Sequence, residues 1–375
     1  MRVLCVLGTR PEAIKLAPVI RTLADDPDSF TVRVCATAQH RELLDQVLGF
    51  FGVTPDHDLD LMRADQSLYD LTARCLTGLR DVLQTERPDA VCVQGDTTTV
   101  FVAALAAAYA HIPVIHVEAG LRSGDREAPF PEEMNRVLTG HLARWHFAPT
   151  ERARLALAAE GITRDVHVVG NTVIDALLMA RALVLGGDAG AIAERFAFLG
   201  EGRCVLVTGH RRESFGAPIE QVALGLADVA AAHRDVSFVY PVHPNPHVRE
   251  PIHRLLGSLP NVHLIEPLDY PYLVWLLERC HVVVTDSGGL QEEAPALGKP
   301  VLVTRDVTER AEGVEAGTAR LVGTDRARLG GELSRLLDDD EAWRAMARAV
   351  NPYGDGHASE RIRDILRASG SNAPR

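Results

Sequence analysis

No strand-like run in this 375-residue chain leads into the G-x-G-x-x-G turn of a dinucleotide-binding fold. That absence removes the usual cradle for a bound nicotinamide. Cysteine is scarce and scattered. There are six residues, Cys5, Cys35, Cys75, Cys92, Cys204 and Cys280, with no C-x-x-C and no histidine at zinc spacing. Most lie inside apolar runs, which reads as buried free thiols in a reducing cytoplasm, with no metal site. Positive charge is also short: 39 Lys and Arg stand against 51 Asp and Glu, a formal net charge of −12. A general binder of nucleic acid or of anionic membrane is thereby disfavoured. The most apolar long stretch, residues 100–117, is interrupted by His111 and Pro113, so no segment is expected to span a bilayer. The chain opens on a strand pattern and not on a signal peptide.

What the chain does have is alternation. Continuously apolar runs at 2–8, 31–37, 90–94, 114–118, 145–148 and 166–169 read as buried parallel strands. Helical patterns at 40–51, 67–86, 97–110 and 150–160 separate them. The series then restarts with "RCVLVTGH" (203–210), "VSFVYPVHP" (236–244), "VHLIEP" (262–267), "HVVVTDSGG" (281–289) and "PVLVTR" (300–305). The expectation is an α/β protein of two doubly wound Rossmann-like domains. They are placed at 1–170 and 171–350, the join falling within 171–200, where "VLGGDAG" breaks a helix. A last helix over 357–369 follows the turn "NPYGDG"; no strand follows it, so packing on either domain is open.

In open α/β sheets ligands bind beyond the carboxyl ends of the strands. The residues there are strongly ionisable. The first half supplies Arg10 and Lys15 after "GT", Asp96 in "QGDTTT", Glu118 in "HVEAGLRSG", and Glu132 in "PFPEEMNR". The second half supplies His210 and Arg211 in "VTGHRRESFG", His243 in "YPVHPNP", and Ser287, Gly288, Gly289, Glu292 and Glu293 after Asp286. Each has a plain structural use as well. Asp96 can cap the helix after it. Glu132 can be a first-turn carboxylate favoured by the helix dipole. His210 can be a hydrogen-bonded structural histidine, and Ser-Gly-Gly a tight turn. Together these uses do not explain why strand after strand ends in ionisable groups. Free N–H groups at the Ser287–Gly289 helix start form an anion site, and a carboxylate one turn later suits the vicinal hydroxyls of a ribose. Arg10 and Lys15 replace the glycines of a phosphate turn with mobile charge, which suits a phosphate that leaves and returns.

These blocks, with "TAQHRELLDQV", "GNTVIDAL", "DSGGLQEEAPALGKPVLV" and "NPYGDG", resemble the non-hydrolysing bacterial UDP-N-acetylglucosamine 2-epimerases from residue 2 to about 366. The resemblance implies the two-domain GT-B fold with its active site in the interdomain cleft and with the helix 357–369 crossing back to complete the first domain. It also implies reversible conversion of UDP-GlcNAc to UDP-ManNAc without a cofactor, supplying ManNAc units for bacterial surface polysaccharide. Carried over by motif, Asp96, Glu118, Glu132 and His210 are similar to catalytic positions. Arg10, Lys15, Ser287, Gly288, Gly289, Glu293 and Arg310 are similar to substrate- and UDP-binding ones. Leu268 and Leu273 fall where the family holds uracil, Leu273 replacing a common phenylalanine, and Ala311 replaces a common proline. The resemblance further implies a homodimer and a second UDP-GlcNAc acting as allosteric activator near Gln39, His40, Gln46, Arg211 and His243. For that last group an interdomain polar contact is the plainer reading.

The C2 proton of an N-acetylhexosamine is not acidic, so its removal needs activation. Expelling anomeric UDP gives C1 oxocarbenium character, after which a base takes the C2 proton and leaves 2-acetamidoglucal. Cations and N–H groups must then hold the diphosphate, and acid–base groups must serve both ring faces. The alternatives are a UDP-sugar-dependent glycosyltransferase of the same fold, a hydrolysing epimerase and a non-catalytic UDP-sugar sensor.

Overall fold

The computed structural model describes residues 1–37, 41–61, 63, 66–187, 189–211 and 214–370. Two compact units are formed, one from Met1–Leu178 with Gly354–Arg375 and the other from Met179–Tyr353.

The first unit holds β1 (Arg2–Leu7), α1 (Arg10–Ala24), β2 (Thr31–Ala36), α2 (Arg41–Phe50), β3 (His57–Asp58) and α3 (Leu68–Glu86). Next come β4 (Ala90–Gln94), α4 (Thr98–Tyr109), β5 (Val114–Val117), α5 (Glu132–Leu142), β6 (Trp145–Ala148), α6 (Glu151–Ala159) and β7 (Val166–Val168). The strands form one parallel sheet in the order β3-β2-β1-β4-β5-β6-β7. Central strands are buried on both faces, so β1 needs no alternation: Val3 to Leu7 are all inaccessible. Each such Val or Leu contributes about 1.5–3 kcal/mol on burial. The alanine-rich α4 packs between α3 and α5, which explains why its apolar residues show no single stripe.

After β7, α7 (Thr172–Gly186) carries the chain across the division, which falls inside this helix. The second unit holds α8 (Ala189–Arg195), a 3₁₀ turn at Ala197–Leu199, β8 (Cys204–Thr208), α9 (Ala217–Ala232), β9 (Ser237–Pro241), α10 (Pro246–Leu256) and β10 (Val262–Ile265). It continues with α11 (Tyr270–Arg279), β11 (Val282–Thr285), α12 (Gly288–Ala296), β12 (Val301–Val303), α13 (Ala311–Glu315), β13 (Ala319–Leu321), α14 (Arg326–Asp338) and α15 (Asp340–Ala347). Its parallel sheet runs β10-β9-β8-β11-β12-β13 over a core that includes Val205, Phe238, Tyr240, Val284 and Leu302. The last helix, α16 (Ala358–Gly370), returns to the first unit, packs on α1 and pairs Arg367 with Asp26. Asp175 of α7 accepts from the N–H groups of Ser359 at 2.7 Å and Ala358 at 3.2 Å, capping α16 from another helix. Among the described residues no single helix is long and apolar enough to cross a membrane. All six cysteines are free and buried.

Each sheet reverses its winding once, between β1 and β4 in the first unit and between β8 and β11 in the second. A crevice opens at such a point beyond the strand ends, where neighbouring connections diverge to opposite faces. Arg10 and Asp96 follow the first pair; His210 and Ser287 follow the second.

Candidate active site

In the first unit, Thr9 caps α1 and forms a reciprocal box with Glu12. The box starts the helix at Arg10, whose guanidinium has no protein partner among the described residues. Gly8 lies so close to the ends of β2 and α4 that a Cβ would stand 2.6 Å from both Thr37 Oγ1 and Thr99 Oγ1. One turn into α1, Lys15 Nζ donates to Glu118 Oε2 just past β5. Glu118 is buried and takes a left-handed backbone conformation, φ 62°, that side chains other than glycine seldom adopt. Two residues earlier, buried His116 has Nε2 2.8 Å from the Gly95 carbonyl. Burial pushes this imidazole down to about 4, so at neutral pH it is the neutral ring that donates from Nε2.

Asp96 does not cap α4. Thr97 does, its hydroxyl accepting the Val100 N–H at 3.4 Å, which corrects the capping use considered for Asp96. The Asp96 carboxylate instead accepts from Arg136 Nε at 2.8 Å, and its carbonyl from Asn135 Nδ2 at 2.8 Å. Arg136 also donates from Nη1 to Glu133 Oε2 at 2.8 Å. Glu133 in turn receives the N–H groups of Ser123 at 3.0 Å and Gly124 at 3.1 Å. Burial opposes ionisation of Glu133, but these N–H groups and Arg136 outweigh it and hold the carboxyl below its usual range. Glu133 therefore ties the loop after β5 to α5. Its neighbour Glu132, the first residue of α5, differs: Oε2 is buried and has no hydrogen-bond partner among the described residues. The first unit thus brings Asp96, Glu118 and Glu132 to one sheet edge, the first two facing cations and the third holding an uncommitted oxygen.

In the second unit, buried Asp286 follows β11 and accepts from the backbone N–H groups of His210 at 2.7 Å and Arg211 at 2.8 Å. Its other oxygen lies 3.3 Å from His210 Nδ1. Burial works against the Asp286 charge, yet His210 and the two N–H groups hold its carboxyl below the ordinary value. His210 is half-exposed and stacks on exposed His243, centroids 5.9 Å apart. Ser287 leads α12 without using its side chain as a cap, leaving the hydroxyl and the first helical N–H groups for an anion. The Arg310 guanidinium lies against the helix start, its Cζ 3.4 Å from where a Cβ on Gly288 would stand, an ordinary van der Waals contact. Arg310 is held there by Glu292, Nε to Oε1 at 2.8 Å. Glu293 accepts the Tyr270 hydroxyl at 2.9 Å. Tyr353 reaches across from beyond α15, donating to the Arg310 carbonyl at 2.9 Å and accepting the Gly313 N–H at 3.0 Å.

Leu268 lies in the loop before α11 and Leu273 on that helix, both half-buried. Gln46 is exposed on α2. His243 Nδ1 accepts the Asn245 N–H at 3.2 Å. Gln39 and His40 lie outside the described residues. The arrangement adds Glu12, Arg136 and Asp286 to the residues that shape the two sheet edges. Arg136 stands in the quoted block "PFPEEMNR" and at helical spacing from Glu132 and Glu133, which was its available signal. Among the described residues no group of three or more His, Cys, Asp or Glu side chains is placed to hold a metal.

The profile of the family described as UDP-N-acetylglucosamine 2-epimerase matches residues 21–367. A UDP-N-acetylglucosamine 2-epimerase of Escherichia coli (strain K12) is 54% identical over 371 residues, 98% of each chain. Among solved structures, the Neisseria meningitidis UDP-GlcNAc 2-epimerase bound to UDP-GlcNAc is 48% identical. Its TM-score is 0.90 over 98% of this chain and 99% of that one. The Methanocaldococcus jannaschii UDP-GlcNAc 2-epimerase, in complex with UDP-GlcNAc and UDP, is 34% identical, with TM-score 0.81 over 98% and 100%.

Proposed function

The chain belongs to the UDP-N-acetylglucosamine 2-epimerase family, and from that premise we propose that it inverts C2 of UDP-GlcNAc by eliminating UDP and adding it back. The C1–O bond breaks with its electron pair leaving on UDP, a carboxylate takes the C2 proton, and a C1–C2 double bond forms. Return of UDP to C1, with a proton delivered to the opposite face of C2, gives UDP-ManNAc. Ser287, Gly288, Gly289 and Arg310 hold the UDP in this reading. Arg10 and His210 stabilise its charge as it departs, where one well-placed donor is worth about 3 kcal/mol. Tyr270 orients Glu293 toward the ribose side, and Leu268 and Leu273 face the uracil.

The observation that carries the proton steps is the contrast among three carboxylates. Asp96 and Glu118 are engaged by Arg136 and Lys15, whereas Glu132 keeps a buried oxygen with no partner among the described residues. A buried polar atom without a partner costs about 1–3 kcal/mol, a cost relieved when a substrate group occupies it. Glu132 therefore exchanges a proton directly with the sugar, and Asp96 and Glu118 serve the other face, each transfer being worth about 10²–10⁴-fold. The non-hydrolysing outcome, cytoplasmic location, a homodimer and activation by a second UDP-GlcNAc near Gln46, Arg211 and His243 belong to the same proposal. Nuclear magnetic resonance of UDP-GlcNAc with enzyme in D₂O tests it. Deuterium should enter C2 of both epimers without any acceptor; epimerisation with no C2 exchange would remove the elimination route.

A further inference from the structure

One acidic residue of the first turn has no part in the chemistry above. Glu12 is only 2% exposed and cannot meet a ligand. Its Oε2 accepts the N–H of Gly8 at 2.5 Å and of Thr9 at 3.0 Å, while Oε1 takes the Thr97 hydroxyl. A capping box requires only the Thr9 bond. The other two reach outside helix α1, and Thr97 belongs to a different connection 85 residues away.

We propose that Glu12 is a positioning residue that clamps the turn after β1 to the turn after β4, across the point where the first sheet reverses its winding. Those two turns diverge to opposite faces of the sheet, so the strand ladder between β1 and β4 stops before the residues that matter. The registered pairs end at Cys5 and Cys92, short of Arg10 and Asp96. Beyond them Glu12 supplies the missing cross-link. On one side it fixes the start of the helix carrying Arg10 and Lys15, and through Lys15 it orients Glu118. On the other it holds Thr97, the immediate neighbour of Asp96. Gly8 permits the approach, since the turn must sit within contact of Thr37 and Thr99. The clamp thereby sets the spacing of Asp96 from the Lys15–Glu118 pair. Misplacement of reacting groups by about 1 Å costs roughly 10²-fold in rate, so a buried tie of this kind bears on kcat far more than on affinity for UDP, most of which Ser287, Gly288, Gly289 and Arg310 supply in the proposed reading.

The proposal rests on the proton-transfer reading given above. The test uses the full chain and compares Glu12→Ala with Glu12→Gln, reading kcat and KM for UDP-GlcNAc, calorimetric affinity for UDP, and melting temperature. Glutamine keeps the clamp: its carbonyl accepts from Gly8 and Thr9 and its amide donates to Thr97. Alanine should lower kcat by about 10²-fold with UDP affinity within about threefold of wild type, and glutamine should restore kcat to within about fivefold. If the alanine variant does not fold, Thr97→Val removes the cross-turn bond together with the α4 cap, the melting temperature reporting the lost cap separately, and Thr97→Ser restores both, with the same pattern of kcat expected. Wild-type kcat in the alanine or valine variant would overturn the clamp. So would a loss that tracks the unfolded fraction, or a glutamine variant no better than alanine. Failure of the elimination reading would show separately, as wild-type turnover without deuterium at C2.

Discussion

Replacing Glu12 with glutamine should stabilise the protein in alkaline solution and leave it unchanged in acid. Burial pushes the Glu12 carboxyl from 4.5 up to about 7, against its hydrogen bonds to Thr97, Gly8 and Thr9, and neighbouring Asp96 adds to the rise. Between those two values the folded protein holds a proton that the unfolded chain has released. The stability this group contributes is therefore complete below about pH 4.5 and is lost as pH rises through about 7. At about 1.36 kcal/mol per pH unit, the rise from 4.5 to about 7 corresponds to about 3 kcal/mol. Glutamine imitates the protonated carboxyl and escapes the loss. A kcal/mol shifts melting by about 2–4 °C in units of this size, so the variant should melt roughly 6–12 °C above wild type at pH 8 and within about 2 °C of it at pH 4.5. The thiol of Cys75 on α3 also faces Glu12, but burial first and Glu12 second push it up to about 12, beyond this window. Asp96→Asn, measured in parallel, isolates the Asp96 contribution. Scanning fluorimetry from pH 4.5 to 8.5 is sufficient. An equal gap at every pH, or a variant less stable at pH 8, would refute the reasoning.

Asp96→Asn, Glu118→Gln and Glu132→Gln should each lower kcat by at least about 10²-fold with the fold retained; near-normal turnover in steady-state assays would remove that residue from the proton-transfer set. Gly288→Ala should weaken UDP binding about tenfold, close to 1.4 kcal/mol, because a methyl group there crowds the helix-start N–H groups offered to the diphosphate, while its contact with Arg310 at 3.4 Å is an ordinary one. An unchanged calorimetric affinity would mean that the diphosphate does not approach Gly288 closely. Asp175→Ala should cost about 1–2 kcal/mol by uncapping α16. Hydrogen exchange in α16 should quicken, and wild-type protection there would show that Asp175 holds nothing.

Much of this architecture was legible because buried parallel strands announce themselves as short apolar runs, and because the residues after them must be there for some reason. Strands β3 and β13 escaped. They are edge strands of two and three residues, too short to carry a period. The pairings escaped for a different reason. Nothing along the chain says that Lys15 finds Glu118 or that Glu12 finds Thr97, since partners 103 and 85 residues apart meet only through strand order. Asp96 illustrates the point: with Thr97 beside it, either was a fit cap by composition. The decision lay with Arg136, which arrives from α5 to engage the carboxylate. Glu132 and Glu133, adjacent and chemically alike, were likewise separated only by what each one reaches.

The left-handed backbone at Glu118 has an evolutionary consequence. Such a conformation costs a residue with a Cβ about 1 kcal/mol and costs glycine almost nothing. Alanine is ordinarily the milder truncation, yet here Glu118→Gly should leave a more stable protein than Glu118→Ala. A lineage released from the need to move a proton at this edge should therefore drift to glycine or asparagine at the position, and gain stability in doing so. A glutamate that persists on a backbone suited to glycine marks a chain still held to its chemistry, and offers a one-residue criterion for sorting active relatives from silent ones.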